Sequence, residues 1–319
     1  MTTMSADLAP GVGRRPGGHC GAWRAAAAAP AMVGSLLLLV VLFGWLGRWE
    51  SVVLTGWLLS GVAVLTRPGE RVAVRVGCGF RQPTTAQAAT LAPLWSAALQ
   101  RCRVDPRDVD LYVQRTPQPN ASAAGGRSVA VTTGVVAGFR AHRLAGDVLV
   151  GVLAHELGHH ATRATRFTLV TVWLAAPWRF ASRLLIGVGL AMFGRQPRRL
   201  LAAVVVAGVV VAVVQALRQR QWMVSMVLGG VAVAAIVCPL LDAAVSRRGE
   251  FTADRYAAAA GLGPQLAAAL QTLDRRGSHR RGWTASALAH HPDLDRRVAA
   301  LLQPQLAALQ RRDAEWGRR

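Results

Sequence analysis

The sequence contains no lysine. All 37 basic residues of the 319 are therefore arginine, set against 16 aspartates and glutamates, for a net charge of +21 and a pI of about 11.8. So strong a positive balance is one mark of a nucleic-acid binder. Neither basic–aromatic interleaving nor a recognition-helix pattern accompanies the arginines, so no nucleic-acid partner is expected. Arginines that flank membrane segments and face anionic lipid account for the charge instead. With alanine, valine and leucine abundant, the missing lysine also reads as coding bias. Cysteine is scarce as well. Cys20, Cys78, Cys102 and Cys238 stand far apart with no C-x-x-C pair, which leaves no cysteine zinc site and no disulfide framework and points to a reducing compartment.

Long apolar runs, by contrast, are plentiful. Mean hydropathy is +0.31 and 52% of residues are hydrophobic, too apolar for an ordinary soluble protein. Residues 1–24 are rich in Gly, Pro and Arg and read as a disordered basic N-terminus. Ala25–Gly47 and Ser51–Thr66, divided only by Arg48-Trp49-Glu50, predict a transmembrane hairpin over 25–66, with Trp45, Trp49 and Trp57 suited to the interfaces. Residues 67–166 read as the first part of a folded domain. A helix is predicted over Thr84–Cys102, capped by Thr84 or Thr85 and kinked at Pro93. Strands are predicted at Asp110–Arg115 and Ser128–Thr133, with Gly125-Gly126 as a turn between them. The block Phe167–Phe193 carries Arg179 and Arg183 near its middle, too costly for mid-bilayer, so 167–199 is expected to be an amphipathic or interfacial helix. Leu200–Leu217 and Trp222–Leu241 predict a second transmembrane hairpin within 200–245. Residues 246–319 form the second part of the domain, with helices over Pro264–Arg276 and Asp293–Gln303.

The chemistry centres on Leu153-Ala154-His155-Glu156-Leu157-Gly158-His159-His160, an H-E-x-x-H motif on a helix predicted over Leu144–Arg163. Positions four apart on a helix lie one above the other. His155 and His159 can therefore offer ring nitrogens to one ion, and Glu156, one step round, can reach a water on it. Two imidazoles and a third ligand leave a position open, the arrangement of catalytic zinc. Metzincins carry a third histidine further along the motif, but those places here hold Thr162 and Thr165. The third ligand must come from elsewhere. After the last apolar block comes Arg248-Gly-Glu-Phe-Thr-Ala-Asp-Arg-Tyr-Ala257, in which Glu250 and Asp254 share a helical face. Glu250 would complete a His₂Glu set, and Asp254 could hold the second ring nitrogen of a ligand histidine. If Glu250 joins that site, an even number of membrane crossings must separate it from His159. His290 or His291, just before Pro292, could hydrogen-bond a developing oxyanion. His160 points off the ligand face and reads as structural.

The combination resembles the HtpX-like membrane-bound zinc metallopeptidases, relatives of the CAAX prenyl endopeptidase. The resemblance rests on the two zinc motifs, on the run Asp147–His155, on Asn120-Ala-Ser-Ala123 before Gly125-Gly126, and on His291-Pro292. It spans about residues 30–303. It implies that His155, His159 and Glu250 bind one Zn²⁺ per chain, that Glu156 is the catalytic acid/base, and that Asn120, Ala121 and Ala123 belong to a substrate edge strand. His291 is the candidate second catalytic group. The expected fold is mainly α with a small antiparallel β-sheet (α+β), a zincin-like (gluzincin-like) catalytic domain joined to two transmembrane hairpins. The expected protein is a multi-pass membrane metalloendopeptidase with its catalytic domain on the cytoplasmic side. Its partners would be the lipid bilayer and protein or peptide substrates, with a role in membrane protein quality control or processing. The competing readings are a catalytically silent scaffold or chaperone-like protein and a sensor-type membrane metallopeptidase.

Overall fold

Long apolar runs become long helices. In the computed structural model, which describes residues 18–162, 165–193, 198–277 and 294–303, α1 spans Gly18–Phe43. It begins inside the stretch expected to be disordered, because a helix nucleated by an apolar run gains a hydrogen bond for each residue it adds. A 3₁₀ turn (Gly44–Leu46) and Gly47, at φ +59°, reverse the chain into α2 (Arg48–Ala63). The left-handed backbone at Gly47 is one that a side chain would strain. α3 (Arg67–Gly77) then turns 100° from α2 and is capped by Thr66, whose Oγ1 accepts from Gly69 N at 3.3 Å. Among the described residues, one helical stretch is long and apolar enough by itself to cross a bilayer, Ala26–Leu46; α2 and α3 reach that length only together, across their bend.

The sheet differs from expectation. It has four strands in the order β1-β2-β4-β3: β1 (Phe80–Arg81), β2 (Asp110–Gln114), β3 (Ala121–Ala124) and β4 (Ser128–Thr132). β1 with β2 and β3 with β4 are antiparallel, but β2 and β4 run parallel, in register from Asp110 opposite Ser128 to Gln114 opposite Thr132. The sheet is therefore mixed rather than antiparallel. The Gly125-Gly126 turn joins β3 to β4, not β2 to β4, and β3 lies at the sheet edge. β4, Ser-Val-Ala-Val-Thr, is buried at all five positions, as expected of a central strand covered on both faces.

A buried carboxylate ties this turn to α3. Glu70 accepts hydrogen bonds from Gly126 N (3.0 Å), Arg127 N (2.9 Å) and Ser128 Oγ (2.7 Å). Gly125 sits above it at φ +64°, where an added Cβ would come within 2.6 Å of Glu70 Cδ. A buried charge is tolerated only when donors surround it in this way.

The predicted helix α4 forms over Thr85–Cys102, and Thr84 and Gln87 cap it reciprocally in a capping box, with Pro93 inside. After α5 (Thr133–Arg140) comes α6 (Gly146–Ala161), which bears the H-E-x-x-H motif. The main core gathers Leu91 and Leu99 of α4, Val113, Val129 and Val131 of the sheet, and Leu149, Leu153 and Leu157 of α6. It is closed from the other side by α9 (Trp222–Ala259), by α10 (Gly263–Gly277) through Leu266, and by Leu301 of the helical segment 294–303.

α7 (Thr168–Phe193), read from the sequence as an amphipathic helix lying on the membrane or packed on the domain, packs along α1 and α2. Trp178 N donates to Ser35 Oγ (3.1 Å) and Trp173 Nε1 to Ser60 Oγ (2.9 Å). Gly34 makes room for the Trp178 ring, which a Cβ there would meet at 2.7 Å. Arg179 and Arg183 remain exposed. α9 also packs along α1, whereas α8 (Arg198–Arg218) rests on α9 with most of its described residues exposed. The last apolar block and the Glu250–Asp254 face are one uninterrupted helix of 38 residues. At 1.5 Å per residue it runs about 57 Å.

Candidate metal centre

Two helices build the site, and glycine lets them meet. Gly158 of α6 lies against Ala253 of α9 so closely that a Cβ there would stand 2.9 Å from Ala253 Cα and 3.0 Å from its carbonyl oxygen. Ala253 and Ala257, one turn apart and fully buried, give α9 a matching smooth face. On the next turn round, Glu250 and Asp254 point at the histidines of α6.

His155 Nε2 lies 3.5 Å from Glu250 Oε2, and His159 Nε2 lies 3.6 Å from Glu250 Oε1. The two rings stand edge to face, at 82°, with centroids 4.8 Å apart. One ligand atom from each of His155, His159 and Glu250 falls within 4.8 Å of the others, and all three side chains are buried. Two imidazole nitrogens and a carboxylate oxygen at that mutual spacing fit a four-coordinate cation with one place open. Across His155, the other ring nitrogen Nδ1 lies 2.9 Å from Asp254 Oδ1, the position of the outer carboxylate that orients a ligand histidine. Glu156, also buried, lies one residue on from His155.

The electrostatics describe a pocket made for positive charge. Burial by itself pushes the His155 imidazole down, but the facing Asp254 and Glu250, with the nearby Glu156, outweigh it and raise its pKa to about 9. Burial likewise works against the Asp254 carboxylate, yet Arg297 and His155 hold it below its ordinary value. His160 does the reverse. It turns away from this group, with Nε2 3.2 Å from the Ser128 carbonyl and Nδ1 3.4 Å from Thr165 Oγ1, and burial lowers it to about 4, so it is neutral and structural.

One participant was not recognised in the sequence. Arg297, from the segment 294–303, is buried and reaches into the acidic side of the site. Its Nε donates to Asp254 Oδ2 (2.8 Å), its Nη2 to Asp254 Oδ1 (2.7 Å), and its Nη1 lies 2.9 Å from Glu250 Oε2. No local pattern separates this arginine from the other 36. The other named residues divide cleanly. Asn120 precedes β3 and is anchored by Thr132, whose Oγ1 accepts from Asn120 N (3.0 Å); Ala121 and Ala123 lie in β3, which packs against α6. His290 and His291 lie outside the described residues.

A family model, that of peptidase family M48, matches residues 86–305 and so takes in both halves of this site. The chain belongs to peptidase family M48. The HtpX-like resemblance read from the sequence agrees with this assignment. Among curated members, "Protease HtpX" of Legionella pneumophila strain Lens is 30% identical over 170 residues, covering 52% of this chain and 51% of that protein; the same figures hold for strain Corby. The chain thus spans about half the length of the curated relatives it matches. A solved structure, titled "Crystal Structure of S. mikatae Ste24p", aligns over 84% of this chain and 61% of that one, with a TM-score of 0.45 and 16% identity.

The closeness of α6 and α9 in this M48 chain yields a direct prediction. Gly158→Ala adds helix propensity worth about 1 kcal/mol. It also forces a methyl into the backbone of α9, an overpacking that costs about 1–3 kcal/mol and cannot be relieved by rotating a side chain. The clash should win. Melting temperature should fall, and metal affinity with it, because α9 moves Glu250 away from both rings. Equal melting and equal metal affinity for the two proteins would show that the glycine does not set this distance.

Proposed function

We propose that this chain is a membrane-bound, zinc-dependent metalloendopeptidase. The observation that carries the reading is the convergence of His155 and His159 of α6 with Glu250 of α9, far along the chain, beside a buried Glu156. His155, His159 and Glu250 are the residues that would hold the ion. A Zn²⁺ held there would supply Lewis acidity, lowering the pKa of water toward about 7 and polarising the scissile carbonyl.

The remaining steps belong to the protein. Glu156 accepts the proton of the attacking water and returns it to the departing amine, as a general base and then a general acid. Asp254 keeps the Nδ1 side of His155 engaged, which leaves the Nε2 lone pair for the ion. The edge strand β3, with Asn120, Ala121 and Ala123, would take an extended substrate backbone by strand addition and lay it beside α6. His291 is proposed as an oxyanion donor.

Membrane seating follows from the apolar helices. α1 and α2 form one hairpin, and the 200–245 hairpin read from the sequence, α8 with the first part of α9, forms the other. Two crossings between His159 and Glu250 keep both on one side of the bilayer. The arginines flanking the helices favour the cytoplasmic side. Proteins processed or cleared at the membrane would be the substrates.

The test is hydrolysis of an unfolded protein such as casein by the purified chain in detergent. Cleavage should stop with a chelator and return when zinc is added back. Cleavage that persists after the protein has been shown to be free of metal would exclude the reading.

A further inference from the structure

We propose that Arg297 is a positioning residue of the metal centre, so that the C-terminal segment 294–303 is part of that centre rather than a cap on the fold. The inference rests on the metallopeptidase reading above and goes beyond its ligand set. Among the described residues Arg297 is the one buried arginine, at 4% exposure. A guanidinium cannot be buried cheaply unless its donors are met, and here three of its nitrogens face two carboxylates. Its fork grips both oxygens of Asp254, the bidentate geometry that arginine provides and lysine does not.

The consequence for the ligands is specific. Glu250 faces both rings, with Oε2 toward His155 and Oε1 toward His159. Arg297 engages Oε2, which would leave Oε1 as the oxygen that Glu250 offers an ion. The same guanidinium holds Asp254 Oδ1, the oxygen that stands 2.9 Å from His155 Nδ1. One side chain therefore sets the pose of a carboxylate ligand and of the group that orients a histidine ligand. It also offsets negative charge contributed by Glu250, Asp254 and Glu156, all of them buried. A residue that only anchored the fold would have no reason to touch both.

The experiment uses the full chain in detergent, comparing wild type with Arg297→Lys and Arg297→Gln. Three quantities are read: zinc affinity by competition with a chelating dye, the rise in melting temperature on adding zinc, and the visible spectrum of the cobalt-loaded protein. Losing an outer-shell partner costs about 10–100-fold in metal affinity. Both variants should show a loss of that order, larger for glutamine, with a smaller zinc-induced melting shift. The cobalt absorption should weaken as Glu250 turns its second oxygen to the ion and coordination rises. Lysine keeps the buried charge, so it separates charge from geometry. If both variants melt early yet keep the full zinc-induced shift and the wild-type cobalt spectrum, Arg297 is merely structural and the proposal fails. A wild-type chain that binds neither zinc nor cobalt would remove the metallopeptidase reading itself, a different result.

Discussion

On the metallopeptidase reading proposed above, replacing Glu156 with glutamine should slow peptide-bond cleavage by about 10²–10⁴-fold, a barrier increase of about 3–5 kcal/mol, while leaving zinc content unchanged. Glutamine keeps the size and shape of the side chain on α6 but cannot take a proton from water. Glu156 lies outside the group formed by His155, His159 and Glu250, so the change leaves the metal's own donors in place. The measurement is paired: zinc content by elemental analysis, and kcat on an unfolded protein substrate. A fully loaded Glu156→Gln chain that cleaves at the wild-type rate would transfer the proton-accepting role to another group.

His159→Ala should have the complementary effect, losing the ion and activity together. Two donors then remain of three, His155 and Glu250, and the buried pocket gains a void where a ring stood. Zinc binding should weaken by more than about 100-fold, beyond what the loss of an outer-shell partner costs. Competition with a chelating dye reads this directly. Unchanged affinity would mean that the H-E-x-x-H helix does not hold the ion through this residue. The two substitutions together separate the ligand role from the proton-transfer role, since one keeps the metal and the other does not.

How legible each part was depended on whether its signal was local. His155, Glu156 and His159 lie within five residues, and helical periodicity alone places the two rings on one face. Glu250 and Asp254 repeat that spacing among scarce acids. The capping box at Thr84 and Gln87 is local too. The sheet was harder. That β4 lies between β2 and β3 depends on where the chain inserts each strand, and residues 115–120, with Pro117 and Pro119, mark a turn without saying which neighbour follows. The uninterrupted α9 was read as a membrane segment followed by a separate motif, because composition changes at Leu241 although the hydrogen-bond ladder does not.

The sequence by itself determined the donors: which side chains can bind an ion, which can move a proton, and that each pair shares a helical face. These follow from residue chemistry and the 3.6-residue turn. Only the tertiary structure decided that α6 and α9 meet through Gly158 and Ala253, that Arg297 closes the acidic side, and that β2 and β4 run parallel. Those are contacts between residues far apart in the chain. They are chosen by close packing and by the need to satisfy buried charge, and no short stretch of sequence records them.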